Sequence, residues 1–165
     1  MITLILGLGN PIVSDDAVGI RVAALLRERL AGRDDVEVDE DYWGGLKLME
    51  RLIGYEAAVV IDAIQTGSAP PGTIHRLRVE DMPTQRSASA HDLNLPTALE
   101  LGRRAEQALP ANDAIHLVGI EVADILNFGE RLTPAVEAAV PEAVSLVMEI
   151  LGEDDHTTEF KENGK

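Results

Sequence analysis

Apolar positions along this chain alternate between short solid runs and longer stripes with helical spacing. Ile2-Thr3-Leu4-Ile5-Leu6 is a solid run stopped by Gly7, which predicts a strand buried on both faces. Glycine, asparagine, proline, serine and aspartate then dominate as far as Asp15, a loop composition. Val18, Val22, Leu25 and Leu26 recur at helical spacing and predict a helix over 16–30. A second strand is predicted over 36–39, a turn at Trp43-Gly44-Gly45, and a short helix marked by Leu46, Met49, Leu52 and Ile53. Ala57-Ala58-Val59-Val60-Ile61 reads as the central strand and ends at Asp62.

Residues 73–79 alternate well enough for a fourth strand. Only ten residues, including Pro70-Pro71, separate it from the third. That is too short for a helical crossover, so the fourth strand is expected to run antiparallel to the third. Leu95, Ala98, Leu99, Gly102 and Ala105 share one side of a helix predicted over 93–109, and a fifth strand follows over 114–120. Thr133-Pro134 opens a last helix, because proline suits the first helical position. Its apolar face runs from Val136 to Leu151, with Pro141 as an expected kink or restart. The order β-α-β-α-β-β-α-β-α points to an α/β fold, a three-layer α/β/α sandwich on a mostly parallel sheet. Residues 1–151 form one expected domain, and 152–165 an acidic, flexible tail.

Composition narrows the function. The chain has 165 residues, of which 45 % are apolar, enough for a single core. Aromatics make up only 3 %, so that core has to be aliphatic. The formal charge of −15, from 29 acidic and 14 basic residues, disfavours nucleic acid and anionic membranes. The absence of cysteine excludes disulfides, thiol nucleophiles and thiolate metal sites contributed by this chain. No basic leader and no apolar run of membrane-spanning length are present, so a cytoplasmic location is expected.

In an open α/β sheet, ligands bind beyond the carboxyl ends of strands where the strand order reverses. If the first and third strands are neighbours, the loop carrying Asp15 and Asp16 meets Asp62 at such a point. His91 lies on the long connection after the fourth strand, close to the start of the third predicted helix. Each residue has a purely structural role open to it. Asp15 is the better candidate for capping the first helix, Asp62 could accept turn amides, and His91 could be a surface histidine. Together, two carboxylates and an imidazole suit a borderline divalent ion with open positions. His75 and His116 fall inside strand patterns and His156 in the tail, and read as structural or incidental. Gly7-Leu8-Gly9 with Asp39 partly matches a dinucleotide fingerprint, but position 12 is Ile where the third glycine belongs.

The stretch from Gly7 to Gly19, Gly-Leu-Gly-Asn-Pro-Ile-Val-Ser-Asp-Asp-Ala-Val-Gly, resembles the N-terminal signature of the [NiFe]-hydrogenase maturation endopeptidases. The resemblance continues through Val60-Ile61-Asp62-Ala63, Pro71-Gly72-Thr73, Ser89-Ala90-His91, Gly119-Ile120-Glu121 and Leu132-Thr133-Pro134. It implies a twisted five-stranded sheet flanked by helices. It also implies an endopeptidase that trims the C-terminal extension of the hydrogenase large-subunit precursor after nickel insertion. Matched by position, the family's metal-contacting residues fall on Asp16, Asp62 and His91. The nickel would be supplied by the substrate on its own cysteines, with no permanently bound organic cofactor. Val122 departs from the Pro that many members carry after Gly-Ile-Glu. Two alternatives remain at this stage. One is a nickel-site chaperone that binds immature hydrogenase without cutting it. The other is a peptidyl-tRNA hydrolase, which shares Gly-Leu-Gly-Asn-Pro but calls for a basic RNA-facing surface.

Overall fold

A computed structural model of the chain describes residues 1–42, 44–81, 94–123 and 125–162, with side chains as far as residue 152. Five strands, β1 (Thr3–Leu8), β2 (Val36–Asp41), β3 (Ala57–Ile64), β4 (Ile74–Arg78) and β5 (Ile115–Glu121), form one sheet in the order β2-β1-β3-β5-β4. β1, β2, β3 and β5 are parallel, and β4 pairs antiparallel with β5. The antiparallel direction of the fourth strand was expected; its neighbour is the fifth strand, which inserts between it and β3. Helices α1 (Val18–Arg29), α2 (Gly45–Arg51), α3 (Leu95–Arg104) and α4 (Pro134–Glu162) complete the element order.

Side-chain alternation along the central strands divides the core into two layers. Ile5, Val59, Ile61, Val118 and Ile120 face α1 and α4. Leu4, Leu6, Ala58, Val60 and Leu117 face α2 and α3. All six residues of β1 are buried, which accounts for its unbroken apolar run. Burying each large aliphatic side chain contributes about 1.5–3 kcal/mol, and Leu4, Ile5, Leu6, Leu26, Leu99 and Ile120 are among those fully buried.

Helix α1 seats closely because two contact positions lack a side chain. A methyl carbon at Gly7 would lie 2.6 Å from the Cβ of Ala23. One at Gly19 would fall inside 3.0 Å of the carbonyl oxygens of both Leu8 and Ile61. The start of α1 therefore rests on the carboxyl ends of β1 and β3 together.

Several boundaries moved from their expected places. The predicted helix over 16–30 is divided: a 3-10 turn, Ser14–Ala17, precedes α1. The predicted helix over 93–109 shortens to Leu95–Arg104, where Asn94 caps the first turn by accepting the Thr97 N–H at 3.0 Å. α4 neither restarts at Pro141 nor ends at Leu151, and its backbone continues to Glu162. The position-141 ring removes one amide donor, and the packing of Val136, Val140, Val144 and Val147 against the sheet holds the helix together across that gap.

Candidate active site

The reversal in strand order falls between β1 and β3, since the chain moves outward from β1 to β2 and then returns to the other side. Gly7 pairs with Ile61 in the last β1–β3 step of the parallel register, and β3 runs past its expected end at Asp62 to Ile64, so Asp62 lies just beyond the level at which β1 stops pairing with it. The 3-10 turn Ser14–Ala17 packs against β3. Asp16 precedes Gly19 by three residues, about one helical turn. Gly19 in turn sits on the carbonyl of Ile61. Two pieces of sequence 46 positions apart thus reach the same edge of the sheet.

Asp16 and Asp62 are both half-buried. Asp16 Oδ2 accepts the Asn10 N–H at 2.9 Å, and Asn10 Oδ1 accepts the Ile12 N–H at 3.1 Å, so the loop folds back onto its own carboxylate. A carboxylate holding one amide keeps acceptor capacity for a cation. Gly9, at φ +151, allows this close return: a Cβ there would collide with the Asp16 carbonyl oxygen. Asp62 lies on the α2/α3 face of the sheet, in register with Gly119 of β5.

His91 lies outside the described residues, so its convergence with the two aspartates is a matter for proposal. α3 approaches the amino edge with its C-terminal end: the Gly54 N–H there donates to Ala108 at 2.8 Å, and the Glu56 N–H to Ile2 at 3.2 Å. Asn94, which caps α3, is separated from His91 in sequence only by Asp92 and Leu93. Among the described residues, no group of three His, Cys, Asp or Glu side chains is arranged to hold a metal.

Asp15 corrects an expectation. It does not cap the first helix: its partners are Thr133, the residue immediately before α4, and Ala123, both more than a hundred residues away. Asp15 is fully buried. Its Oδ1 accepts the Thr133 N–H at 2.7 Å and its Oδ2 the Ala123 N–H at 3.2 Å, while the Thr133 hydroxyl lies 2.9 and 2.8 Å from the two oxygens. Neither the 3-10 turn nor α1 has a side-chain cap of its own. A second buried carboxylate, Glu121, closes the end of β5. It accepts the Thr66 N–H at 2.9 Å and is also bonded to the Thr66 hydroxyl, which ties down the loop following β3. The sequence reading used Glu121 only as part of a motif. Its signal was a lone acid ending an otherwise apolar strand.

Asp39, the acid of the partial dinucleotide match, is bonded to Arg51 and to the Glu40 N–H. Burial pushes its carboxyl up, but the Glu40 N–H and the Arg51 guanidinium outweigh this and hold it below the usual carboxylate range. His75 and His116 lie inside β4 and β5, as their strand patterns implied.

Residues 20–150 match the family model described as hydrogenase maturation protease. The chain belongs to the hydrogenase maturation protease family. The hydrogenase 2 maturation protease of Escherichia coli K12 is 31 % identical over 152 residues, 91 % of this chain and 90 % of that protein. Among solved structures, the E. coli hydrogenase maturating endopeptidase HybD superposes with a TM-score of 0.79 at 31 % identity, covering 93 % of this chain and 94 % of the other. The [NiFe] hydrogenase maturation protease HybD of Thermococcus kodakarensis gives 0.63 at 26 % identity, covering 91 % and 99 %. The fold expectation is met, and membership makes this chain a peptidase of hydrogenase maturation. It also decides against the peptidyl-tRNA hydrolase alternative. Among the described residues, no helix is long and apolar enough to cross a membrane.

Proposed function

We propose that this hydrogenase maturation protease removes a C-terminal extension from the large-subunit precursor of a [NiFe]-hydrogenase, and that Asp16, Asp62 and His91 engage a nickel ion carried by that substrate. The observation that carries the reading is the seat of the α1 start on the Leu8 and Ile61 carbonyls, which brings the Asp16 turn and Asp62, the residue after Ile61, to one edge. Two carboxylates and an imidazole fit a borderline divalent ion whose remaining ligands come from elsewhere. The chain has no cysteine, so thiolates in that shell belong to the substrate.

In this reading the two aspartates provide negative oxygen donors on a rigid frame. The Asn10 N–H orients Asp16, the end of β3 orients Asp62, and His91 supplies a neutral nitrogen donor. A substrate-held ion would supply Lewis-acid polarisation at the scissile peptide, worth several kcal/mol. The contribution of this chain is to hold the precursor so that the bond to be cut lies beside the ion. The reaction takes place in the cytoplasm, on a folded precursor that has already received its metal.

The test is to incubate the protein with nickel-loaded and nickel-free precursor and weigh the products. Trimming of loaded precursor alone, lost separately in Asp16→Ala, Asp62→Ala and His91→Ala, is the expected result. Normal trimming by all three variants refutes the site. Binding without trimming by the unaltered protein would favour the chaperone alternative.

A further inference from the structure

Residues 12–15 are joined to the stretch after β5 at every step. The Gly129 N–H donates to the Ile12 carbonyl at 3.0 Å. Val13 forms an antiparallel bridge with Phe128. The Ser14 hydroxyl donates to the Arg131 carbonyl at 3.1 Å. Asp15 then closes the series with its bonds to Ala123 and Thr133. Of these contacts, the Asp15 bonds are the only ones made by a fully buried charge, and they grip both ends of the β5–α4 connection.

We infer that Asp15 is a positioning residue for Asp16, a role that rests on the site proposed above. A buried carboxylate is costly unless several donors surround it, so its location is strongly determined once those donors are fixed. Ala123 follows the end of β5, and Thr133 stands immediately before Pro134 of α4, its carbonyl accepting the Glu137 N–H at 2.9 Å. Both donors thus lie beside elements built into the core, Ala123 two residues past the end of β5 and Thr133 one before the start of α4. The α4 N-terminus also favours an anion beside it. In a 3-10 turn, about three residues complete one revolution, so neighbouring side chains point roughly 120° apart. With Asp15 directed inward at α4, Asp16 is turned out toward Asn10 and the sheet edge. Rotation of the turn about its own axis would misaim Asp16, and the Asp15 bonds resist that rotation.

Asp15→Asn is nearly isosteric but replaces one acceptor oxygen with a donor, which sets an NH2 group against a backbone N–H. Loss of an outer residue that orients a metal-contacting side chain usually costs about 10–100-fold in activity. The experiment compares kcat and KM for cleavage of nickel-loaded precursor by the unaltered protein, Asp15→Asn, Asp16→Ala and Val147→Ala, each assayed well below its Tm. Val147 is a fully buried α4 residue outside the site and serves as a control for stability. The expected result is a kcat about 10–100-fold lower in Asp15→Asn, with KM within about twofold. Val147→Ala should keep its kcat although its Tm falls. A normal kcat in Asp15→Asn, or an equal loss in Val147→Ala, overturns the inference. Normal cleavage by Asp16→Ala instead overturns the site proposal beneath it.

Discussion

Gly7→Ala tests how closely the seating of α1 governs the chemistry at its end. The new methyl would lie 2.6 Å from Ala23 Cβ, 0.8 Å short of the 3.4 Å at which ordinary van der Waals contact begins, and would also meet the Gly19 carbonyl. Neither partner can rotate away, since one is a methyl on the helix and the other is helix backbone. α1 therefore has to rise from β1 by nearly 1 Å or tilt about its far end. Overpacking of this kind costs roughly 1–3 kcal/mol. Each kcal/mol lowers Tm by about 2–4 °C in a chain of this size, so the fall should be about 2–12 °C. The same shift carries the Ser14–Ala17 turn away from the end of β3, and a misplacement of about 1 Å can cost some 10²-fold in rate. Calorimetry and steady-state trimming of precursor should thus show a moderate loss of stability beside a large loss of kcat. An unchanged Tm would contradict the close seat. A lowered Tm with normal kcat would refute the link between that seat and Asp16.

Asn94→Ala should remove the cap at the start of α3 and cost about 1 kcal/mol in chemical denaturation, the usual worth of an N-cap side chain. Leu26→Ala should lower stability by about 2–5 kcal/mol in the same assay, because the fully buried side chain leaves a cavity between α1 and the sheet. Glu121→Ala should remove the charged acceptor of the Thr66 N–H and hydroxyl at about 1.5–3 kcal/mol, and a wild-type denaturation midpoint would count against its role in holding the β3–β4 loop. Asp39 has a folded pKa below its unfolded value, so its contribution is present above the unfolded pKa and fades as pH falls through the folded one. Arg51→Gln should move the Asp39 titration upward in a carboxyl-carbon NMR experiment, and an unmoved titration would show that Arg51 is not what holds it down.

The elements were legible because two simple periodicities carried them. An apolar run such as Leu4-Ile5-Leu6 has few ways to be buried except between two layers, and the Val18, Val22 and Leu26 spacing fits only a helix face. Boundaries were less legible. The 3-10 turn before α1 follows from tertiary bonds made by Ser14 and Asp15 to residues beyond 120, which no local pattern encodes. Pro141 reads as a break in isolation, yet burial of the valines on either side carries α4 through it.

The acidic composition, the lack of cysteine, the order of strands and helices, and the Asp-Asp pair following the first strand were all determined by the chain as written, whereas the expected strand end at Asp62 gave way to a β3 that runs to Ile64. The tertiary structure alone decided that β5 would lie between β3 and β4, that Gly7 and Gly19 would let α1 rest on two strands, and which aspartate of the pair would be buried. The reason is range. Hydrophobic periodicity is a local property, so it survives in one dimension, whereas the fate of a carboxylate depends on donors such as Ala123 and Thr133 that meet it only after the sheet has closed. Asp15 and Asp16 are chemically identical neighbours, and only those distant amides tell them apart.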